Sequence, residues 1–192
     1  MAHAGLILDN PVSGERFEFR RTAADTNGEL LEFDLTLAAD GHVPGAHVHP
    51  VQEERFVVHS GRVRFRLGAK KIVAGPGDVV VVPAGKVHAF KNVGGEEAKV
   101  RVQVTPALDM EQLFEATVAL AEEGATNRNG MPKPLHLALF VRRFRREVRA
   151  PFPPAPIVGA MLAPLAWIGT KRGHAERYGV PAADPAPVAV TA

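Results

Sequence analysis

The sequence predicts a mainly β protein, an antiparallel sandwich or barrel followed by a helical C-terminal extension. Three observations carry this expectation. Between residues 14 and 105, apolar residues alternate with polar ones in short runs, the period-two signature of half-buried strands. Asp40-Gly41, Ser60-Gly61, Gly75-Pro76-Gly77, Pro83-Ala84-Gly85 and Gly94-Gly95 break those runs at close intervals, as hairpins and tight turns require. Beyond Thr105-Pro106 the apolar residues recur at helical spacing instead.

In chain order, ELLEFDLTL sets Leu31, Phe33, Leu35 and Leu37 on one strand face. RVRFRL repeats the pattern with Val63, Phe65 and Leu67, leaving Arg62, Arg64 and Arg66 on a solvated face. DVVVVP, over 78–83, is a continuous β-branched run and predicts a strand buried on both sides. KVRVQV, over 99–104, returns to alternation. Asp109 is placed to cap a helix through MEQLFEATVALAEEG, with Leu113, Phe114, Val118 and Leu120 to Ala121 as its apolar stripe and Gly124 as its stop. A second helix is expected over HLALFVRRFRREVR and a third over 157–171, with Phe152 and Trp167 in a core or an interface. These elements divide the chain into a β domain at 1–105 with N-terminal strands, a helical extension at 106–180 packed on the barrel or on a partner, and a tail at 181–192 rich in Pro and Ala and expected to be disordered.

Composition excludes several classes of function. A formal charge of +2 gives no field able to hold a polyanion, so no nucleic-acid partner is expected. Without cysteine there are no disulfides and no thiolate metal sites, and any metal must sit on His, Asp or Glu. The start, MAHAGLILDNPVSGERF, lacks the basic and apolar segments of a signal peptide, which predicts a cytoplasmic protein. The apolar run at 156–169 falls short of the roughly 20 residues that span a bilayer and is interrupted by Pro164, so no membrane contact is expected.

One stretch, HVHPVQEE, points to chemistry. His47 and His49 are one residue apart, so on an extended strand both imidazoles leave the same face and can share one metal. Alternation also sorts the two adjacent glutamates. Glu54 shares a face with Phe56 and Val58 and looks inward, whereas Glu53 goes with Arg55 and looks outward, near the surface. A site in which both carboxylates face the metal stays open.

With its spacings, the first stretch runs Gly41, five residues, His47, one residue, His49, four residues, Glu54, six residues, Gly61. The second runs Gly77, five residues, Pro83, one residue, Gly85, two residues, His88, three residues, Asn92. Together they closely resemble the two motifs of the cupin superfamily, over about residues 28–105. The resemblance implies a double-stranded β-helix barrel of the jelly-roll type. Carried over residue by residue, it implies one divalent transition metal (Fe, Mn, Ni, Cu or Zn) on His47, His49, Glu54 and His88. It leaves the glycines and Pro83 to tight turns, and Asn92 to the end of a strand.

Phe33, Leu35, Phe56, Val58 and Phe90 lie on the ligand face and are candidates for a pocket around the metal. Cupins with this ligand set include enzymes similar to quercetin dioxygenase. The resemblance therefore implies an oxygenase for a small aromatic or enolisable substrate, with Glu54 as ligand and base. A metal-dependent isomerase, lyase or cyclase is the second reading, and a non-catalytic small-molecule-binding cupin the third. Pairing through sheet edges and an apolar tail makes a homodimer the expected assembly. His3, His42, His59, His136 and His174 stand outside both motifs and are not expected to ligate.

Overall fold

The computed structural model describes residues 2–178, and the expected tail at 181–192 lies outside them. Nine strands are present among the described residues: β1 (Ile7–Asn10), β2 (Glu15–Arg21), β3 (Leu31–Leu37), β4 (Glu53–Ser60), β5 (Val63–Leu67), β6 (Lys70–Ala74), β7 (Val79–Val82), β8 (His88–Asn92) and β9 (Ala98–Thr105). They form a six-stranded sheet in the order β1-β2-β3-β9-β4-β7 and a three-stranded sheet in the order β6-β5-β8. Every pairing is antiparallel. This is the mainly β, jelly-roll class that the sequence predicts.

Alternation decides which face of each strand is dry. In β3, Leu31, Phe33, Leu35 and Leu37 are all buried, and the register Phe33↔Val102 sets them opposite the buried Val100, Val102 and Val104 of β9. In β5, Val63 and Phe65 turn inward while Arg64 and Arg66 are exposed. The sheets meet through aromatic rings: Phe56 of β4 lies 5.1 Å from Phe65 of β5 and 5.5 Å from Phe90 of β8, centroid to centroid. Side chains from both inner faces interdigitate in this core.

Strand β7 corrects one expectation. It pairs only with β4 and forms an edge of the six-stranded sheet. Val80 and Val82 are buried, but Val79 and Val81 are 47% and 43% exposed. A β-branched run satisfies strand propensity on either face, so it cannot report whether the outer face is covered.

Three helices follow: α1 (Met110–Glu122), α2 (Pro134–Arg143) and α3 (Ala155–Lys171). Helix α1 lies against the inner face of β2 and β3, where Phe114 stacks on Phe17 at 4.5 Å and meets Phe33 edge-on at 5.1 Å. Asp109 stands at its N-terminus, but its side chain caps no helical N–H. It accepts instead from Arg143 Nη1 at 2.8 Å, while Arg143 Nη2 donates to Gln112 Oε1 at 2.6 Å, so the carboxylate ties α2 to α1.

Helix α2 stops at Arg143, six residues short of the expected end, because Arg149 leaves the helical path to pair with Val48. Their two backbone bonds, 2.9 and 3.0 Å, replace helical ones. Helix α3 packs on α2 where Gly169 leaves room for Leu139. Phe152 and Trp167 are not in the core of the described chain, being 80% and 64% exposed. Among the described residues no helix is long and apolar enough to cross a membrane.

Gly61, the closing glycine of the first motif, turns β4 into β5 with φ +77°. A Cβ there would lie 2.6 Å from Ala98 Cα and Cβ, nearer than van der Waals contact allows. Gly61→Ala therefore combines backbone strain with a clash against β9 and should cost about 2 kcal/mol or more in urea unfolding. A loss under about 0.5 kcal/mol, the range of an ordinary surface change, would show that the turn tolerates a side chain.

Candidate metal centre

Four side chains converge inside the barrel from three places in the chain. His47 and His49 leave the segment before β4, Glu54 is the second residue of β4, and His88 opens β8. Strand β4 lies between β7 and β9, where Glu54 is paired with Val82 and Val104. Both its ladders are made, so the carboxylate stands on a fixed backbone. Glu54 is buried at 5% exposure while Glu53 is exposed, so only Glu54 joins the cluster.

His47 and His88 exchange two backbone hydrogen bonds, N to O, each 2.9 Å. That bridge sets their rings 4.2 Å apart. The ring nitrogens are then sorted by backbone carbonyls. His47 Nδ1 meets Gly45 O at 2.9 Å, His88 Nδ1 meets Lys86 O at 3.0 Å, and His49 Nδ1 meets Glu147 O at 2.5 Å. A carbonyl can only accept, so each Nδ1 carries the proton and donates, and each Nε2 of a neutral ring presents a lone pair to the centre.

At the centre His47 Nε2 and His49 Nε2 are 3.1 Å apart, and Glu54 Oε2 is 2.8 Å from His88 Nε2 and 3.4 Å from His49 Nε2. One ligand atom from each of the four residues lies within 4.8 Å of all the others. Glu54 Oε2 and His88 Nε2 are buried without an aligned hydrogen-bond partner.

Converging lone pairs beside a buried anion repel one another unless a cation sits among them, and an orphaned buried acceptor costs roughly 1–3 kcal/mol. The donor set, three imidazoles and one carboxylate, therefore fits a divalent transition metal.

Two of the charge states agree with that fit, while His88 departs from it: burial alone would lower its imidazole, but the bond and the charge of Glu54 outweigh that and raise it. Burial alone would raise Glu54, but the imidazoles of His49, His88 and His47 outweigh it and hold the carboxyl well down, to about 2. His47 is pushed down to about 3 by burial and by its two histidine neighbours. A carboxylate anion and a neutral imidazole are the forms that ligate.

The cluster opens on an apolar cavity of about 210 Å³ whose lining includes His47, His49 and Glu54. Of the residues expected around it, Phe33, Leu35, Phe56 and Phe90 line the wall. Val58 does not: it is 1% exposed and belongs to the core, four residues along β4 from Glu54. Several lining residues have no counterpart in the sequence reading. Phe17 of β2 and Met110, Leu113 and Phe114 of α1 close one side, and Phe140 and Arg149 come from the extension. Glu15 is the other unforeseen wall residue. Its signal was present in ERFEFRR, where it shares the period-two face of Phe17 and Phe19. His59 is exposed and His3, His42, His136 and His174 lie outside the cluster.

A His/Glu ligand set inside a two-sheet jelly roll defines a class, the β barrels whose interior imidazoles and carboxylate can hold a metal ion. Residues 33–105 match the family model described as the cupin domain, and the chain therefore carries a cupin domain. No curated protein matches the chain. Among solved structures it is similar to KdgF from Halomonas sp., at 17% identity over 58% of this chain and 94% of that one, TM-score 0.49. It is similar also to an RmlC-like cupin from Shewanella frigidimarina, at 14% identity over 58% and 92%, TM-score 0.46. The polyketide cyclase RemF from Streptomyces resistomycificus is a third, at 18% identity over 56% and 78%, TM-score 0.46.

Glu15 differs from Glu54 in having no charged neighbour to offset its burial. Burial raises its carboxyl, the Ser13 hydroxyl donating to Oε2 at 2.7 Å pulls it part of the way back, and it settles near 8 against an ordinary 4.5. The folded protein thus binds this proton more tightly than the unfolded chain does. The stabilisation is complete below pH 4.5, falls between 4.5 and 8, and is gone above that.

Because other groups titrate in the same window, the difference in unfolding free energy between wild type and Glu15→Gln isolates this one. That difference should shrink by up to about 1.4 kcal/mol per pH unit from pH 5 to 8. A difference that grows with pH would mean that Glu15 is ionised and paired in the folded protein.

Proposed function

We propose that this protein is a metal-dependent cupin enzyme, an oxygenase acting on a small aromatic or enolisable substrate held in the barrel. One observation carries the reading: four ligand atoms lie within 4.8 Å of one another, and three of their residues, half-buried His47 and buried His49 and Glu54, line an apolar cavity. A bound divalent transition metal supplies Lewis acidity and, when redox-active, electron transfer with dioxygen.

The chain's own residues do the rest. His47, His49 and His88 offer Nε2, each held in the correct tautomer by its carbonyl partner, and Glu54 offers Oε2. Phe17, Phe33, Phe56 and Phe90 give planar surfaces to an aromatic body, and α1 keeps water from that side. Glu54, held as an anion, is the cavity's base toward an acidic C–H or O–H of the substrate. On three imidazoles and one carboxylate a divalent cation would keep a net positive charge, which favours substrates that bring negative charge as an enolate or phenolate. The same features support non-redox isomerase, lyase or cyclase chemistry, in which the enolate is stabilised and no oxygen is used.

Metal analysis of protein purified without chelator or added metal tests the centre. His49→Ala should lose most of the bound metal, and His59→Ala, which changes an exposed histidine, should keep it. Equal content in both variants would remove the four-residue site. Turnover of an enolisable or aromatic substrate, compared in air and under strict anaerobiosis, separates the two chemistries. The oxygenase reading expects turnover to stop without O2, and an unchanged rate would leave the Lewis-acid reading in its place.

A further inference from the structure

We propose that Glu15 is a second polar anchor of the barrel cavity, a carboxylic acid that donates a hydrogen bond to a neutral carbonyl or hydroxyl oxygen of the bound molecule. The inference rests on the reading of this cavity as the substrate site and adds to it a feature of the substrate.

The first residue of β2 turns its side chain to the same face as Phe17 and Phe19. Glu15 is 6% exposed and lines the cavity with Phe17, Phe33 and Leu35. Burying a carboxyl in apolar surroundings costs several kcal/mol in order of magnitude unless something bonds it. Ser13 Oγ donates to Oε2 at 2.7 Å, and among the described residues nothing bonds Oε1.

The turn between β1 and β2 does not need this carboxyl. Asn10 Oδ1 already accepts from the backbone N–H groups of Val12 and Ser13, at 3.0 and 3.1 Å, and Asn10 O accepts from Gly14 N at 3.1 Å.

The remaining oxygen is suited to donate. With Oε2 taken as an acceptor, a proton on the carboxyl resides on Oε1. The raised pKa, near 8 through burial, keeps that proton in place at neutral pH. The cavity's other ionisable lining residues are His47, His49, Glu54 and Arg149, and none of them contributes to that shift.

The neighbouring rim is built closely. A Cβ at Gly130 would lie 3.1 Å from Pro44 Cγ and 3.8 Å from Ser13 Cβ, so the loops holding Pro44 and Gly130 meet beside the Ser13–Glu15 pair. The substrate class that follows has an apolar, ring-sized body with two oxygen functions, one for the histidine cluster and a neutral one for Glu15.

The test uses the full chain without metal and two ligands of one shape, acetophenone and ethylbenzene, which differ in a carbonyl. In wild type the C=O infrared stretch of bound acetophenone should lie below its value in an apolar solvent such as hexane, together with a carboxylic-acid band that Glu15→Gln removes. Glu15→Leu should weaken acetophenone about tenfold, the worth of one buried hydrogen bond, with ethylbenzene changed less than about twofold. Glu15→Gln, whose amide still donates, should keep part of the acetophenone preference.

An unshifted ketone band in wild type, or equal weakening of both ligands in the Leu variant, overturns the proposal. Where the Leu variant does not fold, the wild-type infrared result decides alone. Failure to bind either ligand removes the cavity as a substrate site, and with it the proposed function. Ethylbenzene binding with no ketone shift removes only the role of Glu15. The outcome of the metal analysis affects neither result.

Discussion

Two backbone hydrogen bonds between His47 and His88, 2.9 Å each, are the constraint on which the rest of the site depends. They join the segment before β4 to the first residue of β8, and so close the barrel where its two sheets would otherwise diverge. Once that bridge is made the rings cannot separate, and the carbonyls of Gly45 and Lys86 leave each ring one way to point. Glu54 meets them from β4, one strand in from the edge of the six-stranded sheet. Polar groups brought this close in a dry interior repel unless charge and proton positions are complementary. The strand ladders supply the force that keeps them together, which is the sense in which the fold precedes the chemistry.

The apolar wall follows from the same alternation that builds the sheets. Phe33 and Leu35 of β3 and Phe56 of β4 are core residues by their pattern, and they also line the cavity. Helix α1 completes the wall by stacking Phe114 on Phe17. Two residues further along β4, Val58 is 1% exposed and lies in the core, away from the cavity. The difference between core and pocket is thus a difference of position along one strand, with no change of chemistry.

That distinction explains what was legible in the sequence. Phe33, Phe65 and Val102 announce their strands because period two with one dry face admits few other readings. The inward choice of Glu54 over Glu53 came from the same parity, and the spacing of His47, His49 and His88 was readable because it matches a known pair of motifs.

Parity carries no information about what lies across the sheet. It could not tell that Val79 and Val81 face outward, that Val58 is core, or that α1 would bring Phe114 over the cavity. Helical periodicity likewise ran past Arg143, because the competitor that ends α2, a bridge to Val48, lies about a hundred residues away in sequence. Glu15 was visible as an inward carboxylate in ERFEFRR, but its significance depended on the absence of a cation beside it, which only packing reveals.

The hydrogen bond from His49 Nδ1 to Glu147 O makes the helical extension part of the cluster's frame. With the Val48–Arg149 bridge beside it, the segment after α2 grips the histidine loop from behind by main chain alone. Thermodynamic linkage then runs in both directions. Any occupant that fixes His49 must also strengthen the hold of the extension on the barrel, and any fluctuation that peels the extension away must loosen that occupant by the same free energy. The helices are in this respect a latch whose tension is set at the centre of the molecule, and a change anywhere along α2 or its buried contacts is felt there without touching a single ligand.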